Sequence, residues 1–288
     1  MSGLEQLKRV LAPMYQFLEA DSINEAQARY IKTYLDHSLP FFSAPVFEDQ
    51  LGPNLIRVTV NKYLPKNNNE RIKEINFLKY PPVQAVTKYG RANLVGQSVF
   101  YGAFDPVTPL SEMKPLKGDL ITVSTWAQKD EFGLTLTPIC SITSGDDGKT
   151  HNEISFRFQR AYQNSLIRMP NNQSEQIDEL VSFMSKCFAK KVKYGNSFDY
   201  YLSAYFADRL LNEFEESKLE AIIYPSLAQK MAFSNIAVKP DSFDSKFELI
   251  KVEESVITTT PRENGNGYLM SGTGWTKTFD LENGIIDW

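Results

Sequence analysis

Cysteine and histidine are scarce in this chain: two of each in 288 residues, Cys140 and Cys187, His37 and His151. So few cysteines exclude a disulfide framework, and the expected setting is a reducing compartment, the cytoplasm. Two separated cysteines and two histidines make no zinc site, no His-Glu-x-x-His occurs, and no metal is expected. Each histidine reads as a surface or satisfied polar group rather than a catalyst. Long apolar runs are missing as well. No stretch approaches the roughly 18 residues of a membrane span, so no membrane partner is expected. Met1-Ser-Gly-Leu-Glu5 lacks the basic and apolar regions of a secretory signal. Positive charge is not in excess either: 31 Lys and Arg against 35 Asp and Glu leave −4. A mildly acidic chain is poorly matched to a phosphate backbone, and no nucleic-acid partner is expected.

Familiar enzyme signatures are also absent. There is no Gly-x-x-x-x-Gly-Lys-Ser/Thr loop and no Gly-x-Ser-x-Gly elbow. Gly272-Thr-Gly274 comes nearest to a dinucleotide fingerprint, but it lacks the third glycine and the helix that must follow.

What is present is a globular composition, 42% hydrophobic and 23% charged, enough to bury a core. Residues 1–38 carry helical periodicity. Leu4, Leu7, Leu11, Met14 and Leu18 share a face, with Pro13 expected to kink or break it. A second helix is predicted from the capping box Ser22-Ile-Asn-Glu25, burying Ile23, Ala26, Tyr30, Ile31 and Tyr34. Strand signals follow in Leu55-Ile-Arg-Val-Thr-Val60 and Ser98-Val-Phe-Tyr101. Asp105 is expected to cap a helix with Pro106 in its first turn. Leu120–Trp126 and Gly133–Pro138 read as a pair of strands, and Ser144–Lys149 as a loop. Ile177, Leu180, Val181, Met184 and Phe188 form a helical stripe, and Phe198, Tyr201, Leu202 and Tyr205 begin another; both read as core. Strands return at Ala221–Tyr224, Asn235–Val238, Phe247–Val252 and Ser255–Thr260, and Asn264-Gly-Asn-Gly267 signals a turn before the last β segment. Strand runs interrupted by helical blocks, without βαβ alternation, predict an α+β fold.

Three places resist a purely structural account. Arg57 stands inside an apolar strand. Gly90-Arg-Ala-Asn93 and Tyr101 lead into Glu112. Ser226 directly follows Ile222-Ile-Tyr-Pro225. Taken singly, Arg57 can face solvent, Glu112 can decorate a helix and Ser226 can cap one. As an ordered set they resemble the RES domain family, named for its signature Arg, Glu and Ser. Arg57 matches the arginine of that family's first core strand, and Gly90-Arg-Ala-Asn93 resembles its Gly-Arg-x-Asn segment. Tyr101 with Glu112, eleven residues on, resembles its strand-to-helix pair. Tyr224-Pro-Ser226 followed by Asn235-Ile-Ala-Val238 resembles its C-terminal segment. The match covers roughly residues 50–255.

The resemblance implies an ADP-ribosyltransferase-like β core with N-terminal and inserted helices: an extension over 1–48, then a catalytic domain over 49–288 with a helical insertion around 164–216. It implies an NAD-degrading activity that breaks the nicotinamide–ribose bond, with water or phosphate as acceptor. NAD is then substrate and not a resident cofactor. Many family members are toxins of bacterial toxin–antitoxin pairs, which makes an antitoxin protein an expected partner. A homodimer is the default assembly only because symmetric pairs are commonest. The implied catalytic set is Arg57, Glu112 and Ser226, and the implied substrate-binding set is Tyr101, Arg91, Asn93 and Asn235.

These residue types suit the chemistry. The pyridinium of NAD departs as neutral nicotinamide and needs no strong general acid, so scarce histidine is no obstacle. A carboxylate, Glu112, can stabilise the oxocarbenium-like ribosyl centre or orient the acceptor. The guanidinium fork of Arg57, or of Arg91, suits the pyrophosphate. Tyr101 can stack on nicotinamide, while Ser226, without a neighbouring base, is a hydrogen-bonding group rather than a nucleophile. Three departures from compact toxins are visible: some 56 residues precede Arg57, a largely helical stretch near 164–216 separates the middle motifs from Ser226, and Val58 stands where some members carry an aromatic. The alternatives are an ADP-ribosyltransferase acting on a macromolecule and a catalytically inactive partner-binding module.

Overall fold

A computed structural model of the chain describes residues 2–39, 42–129, 133–139, 153–193, 195–213, 218–226, 234–265 and 267–288. The expected loop at Ser144–Lys149, Cys140 and His151 lie outside the described residues. The strands, in chain order, are β1 (Phe47–Asp49), β2 (Leu55–Val60), β3 (Phe100–Ala103), β4 (Leu120–Gln128), β5 (Leu134–Pro138), β6 (Ala221–Pro225), β7 (Ser234–Val238), β8 (Phe247–Thr259), β9 (Leu269–Thr276), β10 (Phe279–Asp280) and β11 (Ile285–Ile286). The helices are α1 (Gly3–Glu19), α2 (Glu25–Ser38), α3 (Val107–Met113), α4 (Glu153–Ile167), α5 (Asn171–Phe188), α6 (Tyr201–Asp208), α7 (Pro240–Lys246) and α8 (Pro261–Asn264). This is an α+β protein. Among the described residues no helix is long and apolar enough to cross a membrane.

The chain sorts into two compact units of three segments each. The first holds Met1–Asp49, Pro82–Val99 and Leu134–Ala237; the second holds Gln50–Pro81, Phe100–Gly133 and Val238–Trp288. This partition differs from a helical extension over 1–48 followed by one domain over 49–288. The first two helices share a unit with the 164–216 block because α1 packs on α5 and α2 on α6.

In the first unit the strand order is β1-β5-β6-β7. β1 runs antiparallel to β5, and β5 parallel to β6 with Leu136 opposite Ala221. A parallel neighbour needs a crossover, and α4, α5 and α6 supply it. β6 and β7 are buried almost throughout, as strands covered on both faces are. The α5 stripe is buried as predicted.

Two N-terminal expectations are corrected. α1 runs unbroken through Pro13. A capping box between Ser2 and Glu5 secures its start, and Leu7, Leu11 and Met14 are wholly buried, so packing outweighs one missing backbone bond. In α2 the capping box is Asn24 with Gln27, not Ser22 with Glu25. The preceding Ile23 N–H is held at 2.6 Å by the buried Asp199 carboxylate, which fixes where the helix can begin. Its buried face is accordingly Ala28, Ile31 and Leu35, with Ala26 and Tyr30 exposed.

In the second unit the order is β3-β2-β4-β8-β9, antiparallel throughout. One face packs Val58, Val60, Ile121 and Ile257 against Leu110 of α3. The other carries an aromatic stack in which Phe100 and Phe243 lie 3.8 Å apart and Trp126 4.8 Å from Phe243. Asp105 caps α3 as expected, accepting from the N–H groups of Val107 (2.9 Å) and Thr108 (2.8 Å). β4 pairs with β2 and β8, and β5 with β1 and β6, so these two runs are not partners. The segments expected as separate strands at 247–252 and 255–260 are one strand, β8. The acidic pair between them does not interrupt it because both side chains are satisfied: Glu253 by Lys251 at 2.8 Å, Glu254 by Arg71 at 2.7 Å. The turn at 264–267 begins with Gly265 at φ +73°, closing α8.

Candidate functional site

Arg57 sits mid-strand in β2, between residues that pair with β4 at every position from Leu55 to Val60. Its side chain is half-buried, and the Nε–H is buried without a hydrogen-bond partner. Nη1 donates to the Tyr101 carbonyl at 3.0 Å, and the guanidinium carbon lies 5.7 Å from the centre of the Phe100 ring. Burial pushes the guanidinium down to about 10, with Tyr101 pulling the other way. A cation stripped of water and left with an unmet donor is a receptor for an anion.

Tyr101 lies on β3, half-buried. Glu112 is exposed near the end of α3, whose inner side is Thr108, Pro109 and Leu110. Strand alternation sends Arg57 and Val58 to opposite faces, and α3 covers the Val58 face. The guanidinium does not remain beneath its own strand, however. Its Nη1 reaches the Tyr101 carbonyl on the neighbouring β3, whereas α3, which carries Glu112, packs on the Val58 face.

The remaining candidates belong to the first unit. Ser226, fully buried, directly follows β6, and Asn235 is buried on the neighbouring β7. Residues 227–233 lie outside the described residues, so the N-cap reading of Ser226 falls there too. Arg91 has a scaffold role: Nη1 donates to the carbonyls of Phe188 and, at 3.3 Å, Lys190, closing the C-terminal end of α5, while its guanidinium carbon stands 5.0 Å from the Tyr200 ring centre. Asn93 ties its own turn, donating to the carbonyls of Leu94 (2.9 Å) and Lys88 (3.3 Å) as Gly90 N–H donates to the Asn93 carbonyl (3.1 Å). The structure thus brings Arg57 and Tyr101 into contact within one unit, and in the other places Ser226 just past the end of β6 and Asn235 on the neighbouring β7.

Of the scarce residues, His37 is exposed with Nδ1 2.7 Å from the Thr33 carbonyl, a satisfied surface group. Cys187 is a free, buried thiol whose ionisation is pushed well up by burial.

One cluster escaped the sequence reading. Glu254 of β8 is buried, and its Oε1 accepts from Arg71 Nε (3.0 Å), Arg71 Nη2 (2.7 Å) and Thr273 Oγ1 (2.7 Å). The Arg71 guanidinium lies 4.6 Å over the Trp288 ring. Gly274 permits this closeness: a Cβ there would stand 3.0 Å from Arg71 Nη2. The only local signal was an acidic pair inside a strand run. Comparison with known proteins gave no matching family model, no match among curated proteins and none among solved structures.

Proposed function

We propose that the protein degrades NAD by cleaving the nicotinamide–ribose bond, on a RES-type core related to ADP-ribosyltransferases. The observation that carries this reading is Arg57, a desolvated guanidinium with a buried, unpartnered N–H at the β2–β3 seam. A pyrophosphate presents the paired anionic oxygens that such a fork binds. Glu112, exposed on α3, supplies in this reading the negative charge that the ribosyl cation needs as nicotinamide departs. Tyr101 shapes the nicotinamide end, and the resemblance assigns Ser226 and Asn235 hydrogen-bonding roles. Water or phosphate takes the ribosyl carbon. An antitoxin partner accompanies the reading through the same resemblance, and scarce cysteine suits a cytoplasmic setting.

The test is nicotinamide release from NAD by the purified chain, with and without phosphate. Glu112→Gln is expected to lower the rate on the order of a hundredfold or more, as loss of a charge-stabilising group does. Full activity in that variant removes Glu112 from the mechanism. Label transferred from NAD to a macromolecule identifies a transferase instead, and binding without turnover identifies a binding module.

A further inference from the structure

The face of the second unit's sheet that carries Arg57 also carries a row of buried polar side chains. The register places Thr59 on β2 opposite Thr122 on β4, and Thr122 opposite Glu254 on β8. All three are buried, at 6%, 0% and 2% exposure. Part of the row is satisfied internally. Thr122 Oγ1 donates to Asn61 Oδ1 at 2.9 Å, and Asn61 Nδ2 donates to the Glu70 carbonyl at 2.9 Å. Glu254 Oε1 takes the three donors already described. Two atoms remain buried without a protein partner: Glu254 Oε2 and Thr59 Oγ1, at the two ends of the row.

A buried carboxylate oxygen with no donor is among the least tolerable groups in a protein interior, and native structures resolve such cases with internal water or a ligand. The chemistry of the row selects between them. Arg71 already balances the charge of Glu254, so a metal cation would bring uncompensated charge into the interior. An anion would be repelled by Oε2. What remains is a small neutral molecule that donates to a carboxylate and also bonds hydroxyls. We propose that this row is an internal hydration site, in which ordered water donates to Glu254 Oε2 and bonds Thr59 Oγ1 across the Thr122 hydroxyl. It spans two strand spacings, about 9–10 Å, so more than one water is required. This site is independent of the NAD reading.

A high-resolution crystal structure of the full chain tests it directly. Water peaks are expected at about 2.7–3.1 Å from Glu254 Oε2 and from Thr59 Oγ1. Featureless density at either atom overturns the proposal, as does a peak at about 2.3–2.6 Å with oxygen ligands around it, which would be a cation. Thr59→Val gives an independent readout whose sign differs between the cases. A hydrated Thr59 makes the valine variant unfold at lower urea concentration, because water loses a partner. In a dry row the same change removes an orphan hydroxyl at constant shape, and an unchanged or higher urea midpoint refutes the proposal. Should the variant fail to fold, the wild-type density alone decides.

Discussion

Replacing Arg57 by methionine separates an arginine kept for ligand binding from one kept for the fold. Burial holds the guanidinium at about 10, well below its ordinary value. At about 1.4 kcal/mol per pH unit, keeping it charged costs the fold about 3 kcal/mol, and somewhat less because the side chain is only half-buried. Against this stand one hydrogen bond to the Tyr101 carbonyl, about 1 kcal/mol, and the Phe100 contact, also about 1 kcal/mol. Arg57→Met is therefore expected to raise stability by about 1 kcal/mol in urea unfolding at pH 7 while abolishing NAD turnover, the trade made at binding sites. The folded-state value lies below the unfolded one, so below about 10 the residue is charged in both states and the penalty is fully present. Arginine keeps its proton throughout the accessible range, so the penalty does not lift, and the stability difference between wild type and variant should stay level between about pH 6 and 9. A loss of more than about 2 kcal/mol on substitution, with turnover retained, would show that Arg57 is scaffold and refute the reasoning.

Arg71→Leu strands the Glu254 carboxylate in the interior and should lower stability by about 3 kcal/mol, the low end for a broken buried pair because Arg71 itself is 38% exposed; an unchanged urea midpoint would mean the pair carries nothing. Pro13→Ala restores a backbone donor inside α1 and should raise the melting temperature by the equivalent of about 1 kcal/mol; a fall would show that the proline ring packs better than the helix bond it forfeits. Glu112→Gln, on an exposed helix position, should leave unfolding within about 0.5 kcal/mol of wild type, so that any activity loss is chemical rather than structural.

Local pattern carried far in some elements and failed in others for identifiable reasons. β2 was legible to the residue because Leu55–Val60 is a short apolar run bounded by polar turns. The α5 stripe is legible because its period of 3.6 is unbroken over about three turns. Around α2, Ile23 and Ile31 are buried as expected, but the helix start is not local: the Ile23 N–H is held by Asp199, 176 residues away. β8 was cut in two because an acidic pair looks like a loop until Arg71 arrives from 183 residues upstream. Arg91, a candidate ligand group by motif, is held against the carbonyls of Phe188 and Lys190, an engagement no local pattern encodes. For the candidate site, the sequence could nominate residue types and their order. It could not say that Arg57 and Tyr101 touch or that the strands beside Ser226 and under Asn235 are neighbours.

By itself the sequence determined the α+β class, most strand and helix positions and the capped start of α3, because these depend on periodicity and capping within a few residues. Only the tertiary structure decided how three distant segments assemble into each unit, which face of β2 the arginine takes, and where a buried charge finds its counter-ion. Those outcomes rest on burial and on pairings across hundreds of residues, where free energy depends on what surrounds a side chain and not on what precedes it.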